Sequence, residues 1–372
     1  MKKILIILFT IQYFLIINSS TIYATEEILK EQEEKYGISD FLNKSSEYLE
    51  EIDLNDFFKT SLTGKFDNNK LLKLISKLFS KNLKNALLTL SGIIIIVVIG
   101  SVLKAISENL GNETISKISY YVQYILIVTL IMTNFSNAIV EVKNAISDLS
   151  SFAKLLIPLL TTLMIASGNI VSSGMLEPIL LLIITFIGSF ITNVVIPIIL
   201  IATALNIISK ISDQVQVGKL SKIMKNGTVW VLTTVLSFFI SIASLEGNLT
   251  SSLDGFTKKT GKSIVSAAVP VVGKILGDAL DTISGYSNII KNGTGIVGIL
   301  VVLGICLKPM INLLAFTITY YLGGALIEPI ADKKIVELFE VMGGTFKILL
   351  GIVATVSVML IIGLAIVIRI SS

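Results

Sequence analysis

The sequence predicts an all-α polytopic membrane protein with about six to eight transmembrane or re-entrant helices and an internal duplication. Three observations lead there. Hydrophobic residues make up 53% of the 372 residues and charged residues only 15%, at a mean hydropathy of +0.85; soluble domains carry about 25% charged residues. The charges are segregated, leaving several apolar stretches of about 20 residues, the length that crosses a hydrocarbon core. Four of the six prolines form two pairs of equal spacing: Pro158 and Pro197 lie 39 residues apart, as do Pro270 and Pro309. Each pair opens one apolar tract and interrupts a longer one, LLIPLL then VVIPIIL, and AAVPVVG then CLKPMIN. Further on, LSKIMKNGTVWVLTTVL at 220–236 answers LFEVMGGTFKILLGIVA at 338–354. Helices interrupted at corresponding places in two halves are the sequence signature of a duplicated membrane body.

The elements follow in order. Residues 1–24 have the form of a secretory signal peptide: Lys2 and Lys3, the apolar run ILIILFTIQYFLII, then polar NSSTIYA. Cleavage after Ala24 and retention as a signal anchor both place the next segment beyond the membrane. Residues 25–85 form a small helical extracytoplasmic segment that is acidic over 26–56 and basic from Lys59. Its second half places Lys70, Lys73, Lys77, Lys81 and Lys84 on one helical face, with Leu71, Leu74, Ile75, Leu78 and Leu83 on much of the rest. That pattern suits a helix lying on membrane lipid, or else a solvated tether.

Residues 86–140 read as a first helical hairpin, 86–106 and 118–140, with Tyr120, Tyr121 and Tyr124 suited to an interfacial belt. The first membrane repeat, 152–246, contains a proline helix at 152–172, a long tract at 176–208 and a span at 228–246. The second, 264–368, contains a less apolar proline helix at 264–283, a long tract at 295–327 and a last span at 345–368. Pro158, Pro197, Pro270 and Pro309 are the expected helix breaks, because proline lacks an amide hydrogen and crowds the preceding turn. If both proline helices cross the membrane, the second repeat lies inverted; if both are re-entrant, the repeats are parallel. The connector 209–227, with Lys210, Lys219, Lys222 and Lys225 against Asp213, belongs in the cytoplasm by the positive-inside rule, which favours the re-entrant alternative.

Composition excludes much chemistry. The chain has no histidine and one cysteine, Cys306, which removes internal disulfides, histidine-ligated metals and Ser-His-Asp or Cys-His catalysis. No catalytic, cofactor-binding or metal site is expected, and no Walker A loop is present. The net charge of +4 is carried almost wholly by lysine, with Arg369 the single arginine, so nucleic acid is not an expected partner.

Four residues are candidates to line a conduit: Lys274, Asp278, Asp281 and Lys308. Lys274, Asp278 and Asp281 recur at i, i+4 and i+7 on the second proline helix. They form a polar stripe facing a water-filled cavity, or the solvated face of an interfacial helix. Lys308 stands in an apolar tract beside Pro309, facing water or ending its helix at an interface. Glu177-Pro178 and Glu328-Pro329 share the form apolar-Glu-Pro-Ile and read as turns at helix ends. Glycines such as Gly323, Gly324, Gly343 and Gly344 permit close helix contact.

The signal sequence, the acidic then lysine-rich ectodomain and the repeated body together resemble the stage III sporulation protein AE family. The stretch KPMINLLAFTITYYLGGALIEPIADKKIVELFEVMGGTFKILLGIVATVSVMLIIGLAIVI at 308–368 carries the closest likeness. The resemblance implies a multi-pass, non-enzymatic subunit in the mother-cell, outer forespore membrane. There it would act as an export-gate or permease-like platform of a secretion or feeding channel needed for late forespore gene expression. Implied partners are the other stage III sporulation subunits, among them a cytoplasmic ATPase and ring-forming proteins. The residues alone also admit a secondary transporter for a small solute, or a membrane scaffold without a path.

Overall fold

The computed structural model describes residues 36–48, 90–106, 113–211, 217–242 and 272–369, with positions 54, 57–59, 84, 87 and 88 between them; it leaves out the side chains at 113, 116, 211 and 272–283. The described residues form helices. These are α1 (Ile38–Ser46), α2 (Leu90–Ile106), α3 (Glu113–Ala166), α4 (Ile170–Phe190), a π turn (Ile191–Val195), α5 (Ile196–Ile211), α6 (Gly218–Ile242), α7 (Val272–Ile327) and α8 (Lys333–Arg369). Five uninterrupted stretches are long and apolar enough to cross a membrane: Lys117–Ala166, Ile170–Lys210, Gly218–Ile242, Ser284–Ile327 and Lys333–Arg369. Helix α2 is apolar and shorter.

Long antiparallel rods make up the bundle. On α3 and α7 the contacts advance in step and in opposite directions, from Asn134 with Tyr320, through Glu141 with Asn312, to Ser167 with Ser284. Helix α8 folds back along α7, bringing Phe339 and Phe346 against Tyr320. Helices α4 and α5 run back along α3, from Glu177 against Thr161 to Ile207 against Tyr124. Rings pack between α3, α7 and α8: Phe346 lies 5.0 Å from Phe316, 5.2 Å from Tyr320 and 6.3 Å from Phe135, centroid to centroid. Close approach requires glycine at two seams. A Cβ at Gly298 would strike Leu156, and one at Gly323 would strike Leu90 and Phe339. Helix α1 docks against α3 through Phe41, whose ring lies 6.0 Å from Phe152.

The helix ends have local causes. After Ala166 the Asn169 amide donates to Met164 O at 2.8 Å and the Gly168 amide to Ile165 O at 2.9 Å. Gly168 has φ 80°, the left-handed conformation this Schellman closure needs. Pro329 ends α7 as the Glu-Pro pattern anticipates, and Asp332 O accepts the first α8 amides, from Ile335 at 2.9 Å and Val336 at 3.2 Å. The companion pattern departs from expectation: Glu177-Pro178 lies inside α4, not at a turn.

Three corrections concern the prolines and the repeat. Pro158 lies inside α3 and Pro309 inside α7, and neither breaks its helix. Neighbouring helices can satisfy the carbonyl that a membrane proline releases, so the penalty that ends soluble helices does not decide here. Pro197 follows the π turn Ile191–Val195, which widens the backbone where its ring would press on the carbonyl of Asn193. It marks a local distortion within a rod that carries on into α5, and so is not a full break. Pro270 lies outside the described residues. Between the paired prolines the two tracts also differ: the first turns at 167–169, whereas the corresponding 279–281 is interior to α7. The paired spacing therefore does not translate into a paired fold at these positions, and the expected span 118–140 and most of 152–172 merge into the single helix α3, which ends at Ala166.

Candidate functional site

Several polar side chains on these rods join helix to helix. At one end, Lys104 of α2 pairs with Asp332 at 2.7 Å, and Lys210 of α5 forms an ion pair with Glu337 of α8. Tyr124 Oη donates to Ile207 O at 2.8 Å, and Gln123 Nε2 to Val97 O at 3.1 Å. One step inward, Lys225 of α6 reaches α8, where its Nζ donates to Thr345 Oγ1 at 2.5 Å. At mid-length Asn312 Nδ2 donates to Glu141 Oε2 at 2.6 Å, and Asn134 Nδ2 to Tyr320 Oη at 3.2 Å. Near the other end Thr161 Oγ1 donates to Glu177 Oε2 at 2.6 Å, and Ser284 Oγ to Ser167 O at 2.6 Å.

Lys291 is the buried charge that the sequence pattern does not disclose. It is 0% exposed, and its Nζ donates to Val367 O at 3.1 Å and Ile368 O at 3.0 Å. Those carbonyls belong to the last turn of α8, whose amide acceptors lack intrahelical partners and whose dipole ends negative. An α7 ammonium therefore caps α8. No local pattern announces this, because the partner lies 76 residues away and is backbone. Around Lys291, the side-chain oxygens of Ser287, Asn292 and Thr294 are buried without a hydrogen-bond partner among the described residues.

The predicted site residues fare unevenly. Lys308 is exposed on α7, with Pro309 buried beside it. Lys274, Asp278 and Asp281 fall on the α7 backbone, and their side chains lie outside the described part of the structure. Lys70, Lys73, Lys77 and Lys81 lie outside the described residues, as do residues 1–35, while Lys84 is exposed at an isolated helical position. Among the described residues, no group of three or more His, Cys, Asp or Glu side chains could hold a metal ion.

Five apolar rods long enough to span a bilayer, joined by polar contacts between helices, define a multi-span helical membrane protein. A family model described as "Stage III sporulation protein AE (spore_III_AE)" matches residues 52–371. The Stage III sporulation protein AE of Bacillus subtilis (strain 168) is 30% identical over 298 residues, covering 80% of this chain and 74% of that protein. The chain belongs to the stage III sporulation protein AE family, which implies a role in stage III of sporulation. No solved structure matches it.

Proposed function

We propose that this protein is a non-enzymatic membrane platform of a mother-cell-to-forespore secretion or feeding channel, working as an export-gate or permease-like subunit. One observation carries the reading: Lys104, Lys210, Lys225, Lys291, Glu141 and Glu177 are all committed to contacts between helices. Ionisable groups at membrane depth usually mark a solute path or hold helices together, and here the geometry favours the second use. With its ionisable groups so used, the chain reads as a building block of an assembly more than as a self-contained transporter. Its partners in this proposal are other sporulation subunits, including a cytoplasmic ATPase and ring-forming proteins. Any aqueous surface it contributes would include the stripe Lys274, Asp278 and Asp281, with Lys308 beyond it.

Affinity purification of tagged protein from sporulating cells tests this. Co-purification of an ATPase and ring subunits is the expected result. Solute flux catalysed by the purified chain alone in proteoliposomes, without such partners, overturns it. Cysteine substitutions at 274, 278 and 281 should react with a water-soluble maleimide, and uniform protection would remove the stripe from the path.

A further inference from the structure

Over one length of the bundle, two flanks carry opposite chemistry. Helix α3 keeps one side turned outward, and its exposed residues from Ile118 to Leu130 are apolar apart from Tyr121 and Thr129. From Thr133 to Lys154 the pattern reverses. Every exposed residue there except Val140 is polar, and the stretch ends in Lys143, Asn144, Ser147, Asp148, Ser151 and Lys154. Lys143, Ser147, Ser151 and Lys154 recur at i, i+4, i+8 and i+11, one face of the helix, with Asn144 and Asp148 adjoining it.

Helices α4 and α5 run along the same length with the other character. Two contacts set their register on α3: Tyr124 Oη donates to Ile207 O at 2.8 Å, and a Cβ at Gly188 would stand 3.0 Å from Ser150 Oγ. Along this stretch Leu182, Phe186, Val194, Leu200, Ile201 and Ile208 are exposed, Leu182 at 67% and Phe186 at 63%. At about 100° per residue, Leu182 and Phe186 lie about 120° and 160° around α4 from Gly188, and so point away from α3. They belong to Ile170–Lys210, a rod apolar enough to cross a membrane. The α4–α5 flank therefore suits lipid at the depth where α3 displays charge.

The side chains of α3 decide what can face them. Lipid is a poor neighbour, because ionisable groups at membrane depth are costly. A packed protein partner is a poor one too, since interface cores are depleted of Lys, Asp and Ser, which supply this face apart from Asn144. Water suits all of them. Helix α1 agrees: Phe41 and Tyr48 pack on Phe152, while Asp40 and Lys44 form an exposed pair on its outer side at 2.9 Å. Lys308 of α7 is exposed one turn from Asn312, whose contact with Glu141 brings it to the same level.

We propose that the outward face of α3 from Lys143 to Lys154, flanked by α1, is a water-facing wall of the channel at membrane depth, with α4 and α5 as the lipid side of the same subunit. This rests on the channel-platform reading above and adds which flank of the chain turns towards the aqueous path.

Single cysteines in a C306A chain test it, in membranes prepared from sporulating cells and scored in variants that keep their yield of heat-resistant spores. Ser147→Cys and Ser151→Cys should react with a membrane-impermeant maleimide on the order of tenfold faster than Leu182→Cys and Phe186→Cys, because an apolar surrounding suppresses the reactive thiolate. Reaction at 147 and 151 as slow as at 182 and 186 overturns the wall. Rapid reaction at all four positions overturns it as well, since this length of the bundle would then stand outside the membrane. The platform reading fails by a different result, the absence of an ATPase and ring subunits from the co-purification, which the labelling of α3 does not measure.

Discussion

Lys291 shows how one side chain can fasten two rods. Replacing it by methionine keeps most of its volume and removes two charge-assisted bonds to the α8 terminus. The expected loss is about 1–3 kcal/mol, with faster amide hydrogen exchange over residues 363–369. Glutamate at the same place should be worse, because its charge faces the negative end of the α8 dipole. Unchanged exchange in Lys291→Met would remove the capping role. Two glycines should respond with opposite signs. Gly168 at φ 80° should cost about 1–2 kcal/mol when replaced by alanine. Gly174, inside α4 with open space where a Cβ would stand, should gain about 0.5–1 kcal/mol from the same change. Thermal unfolding in detergent reads both. The Gly168 turn lacks any signal beyond the residue itself and its small neighbours; Lys291 had no signal at all, since what it binds is the end of another helix.

Among the elements, α3 and α7 overturn the most direct sequence inference. Pro158 and Pro309 satisfy the local criteria for a break, yet each lies inside a continuous helix, with an interhelical contact one turn further on at Thr161 and at Asn312. Pro158→Ala and Pro309→Ala should therefore leave helix content unchanged by circular dichroism. A large gain in helix would mean the rods are interrupted there after all. The α3–α7 seam is testable by a double-mutant cycle on Glu141 and Asn312. Polar pairs between membrane helices couple by about 0.6 kcal/mol on average and up to about 1.7. A coupling in that range is the expected result, and zero coupling would make the 2.6 Å contact incidental. Helices α2, α6 and α8 overlap the apolar tracts 86–106, 228–246 and 345–368 readable from hydropathy, with other bounds. Hydropathy could not say that 118–140 and most of 152–172 belong to one helix, because the charged residues between them (Glu141, Lys143 and Asp148) look like a loop until each is seen on a rod surface or paired.

Across the whole molecule, length is the governing quantity. At 1.5 Å per residue, the 54 residues of α3 reach about 81 Å, well beyond a hydrocarbon core of about 30 Å. A rod of that length either tilts steeply or projects into the aqueous space on one side, where further subunits could engage it. The ion pairs at the 210/337 and 104/332 contacts tie three helices together at one end of the bundle. Lys210→Glu and Glu337→Lys should each lower the amount of folded protein in the membrane and the yield of heat-resistant spores. The double exchange should restore both. Failure of the exchange to rescue would show that each residue acts alone.

The sequence by itself determined that this chain lives in a membrane, is helical, lacks the residues for histidine- or disulfide-based chemistry, and resembles its family along a recognisable tail. Those properties follow from composition and from periodicity along one helix, which need no partner to be read. Only the tertiary structure decided which prolines are passed through, where the backbone widens into a π turn, and which lysines turn inward to cap or pair. Those outcomes depend on what a neighbouring rod offers: a buried ammonium finds a helix end, or a lysine finds its carboxylate, only once the chain has folded back on itself.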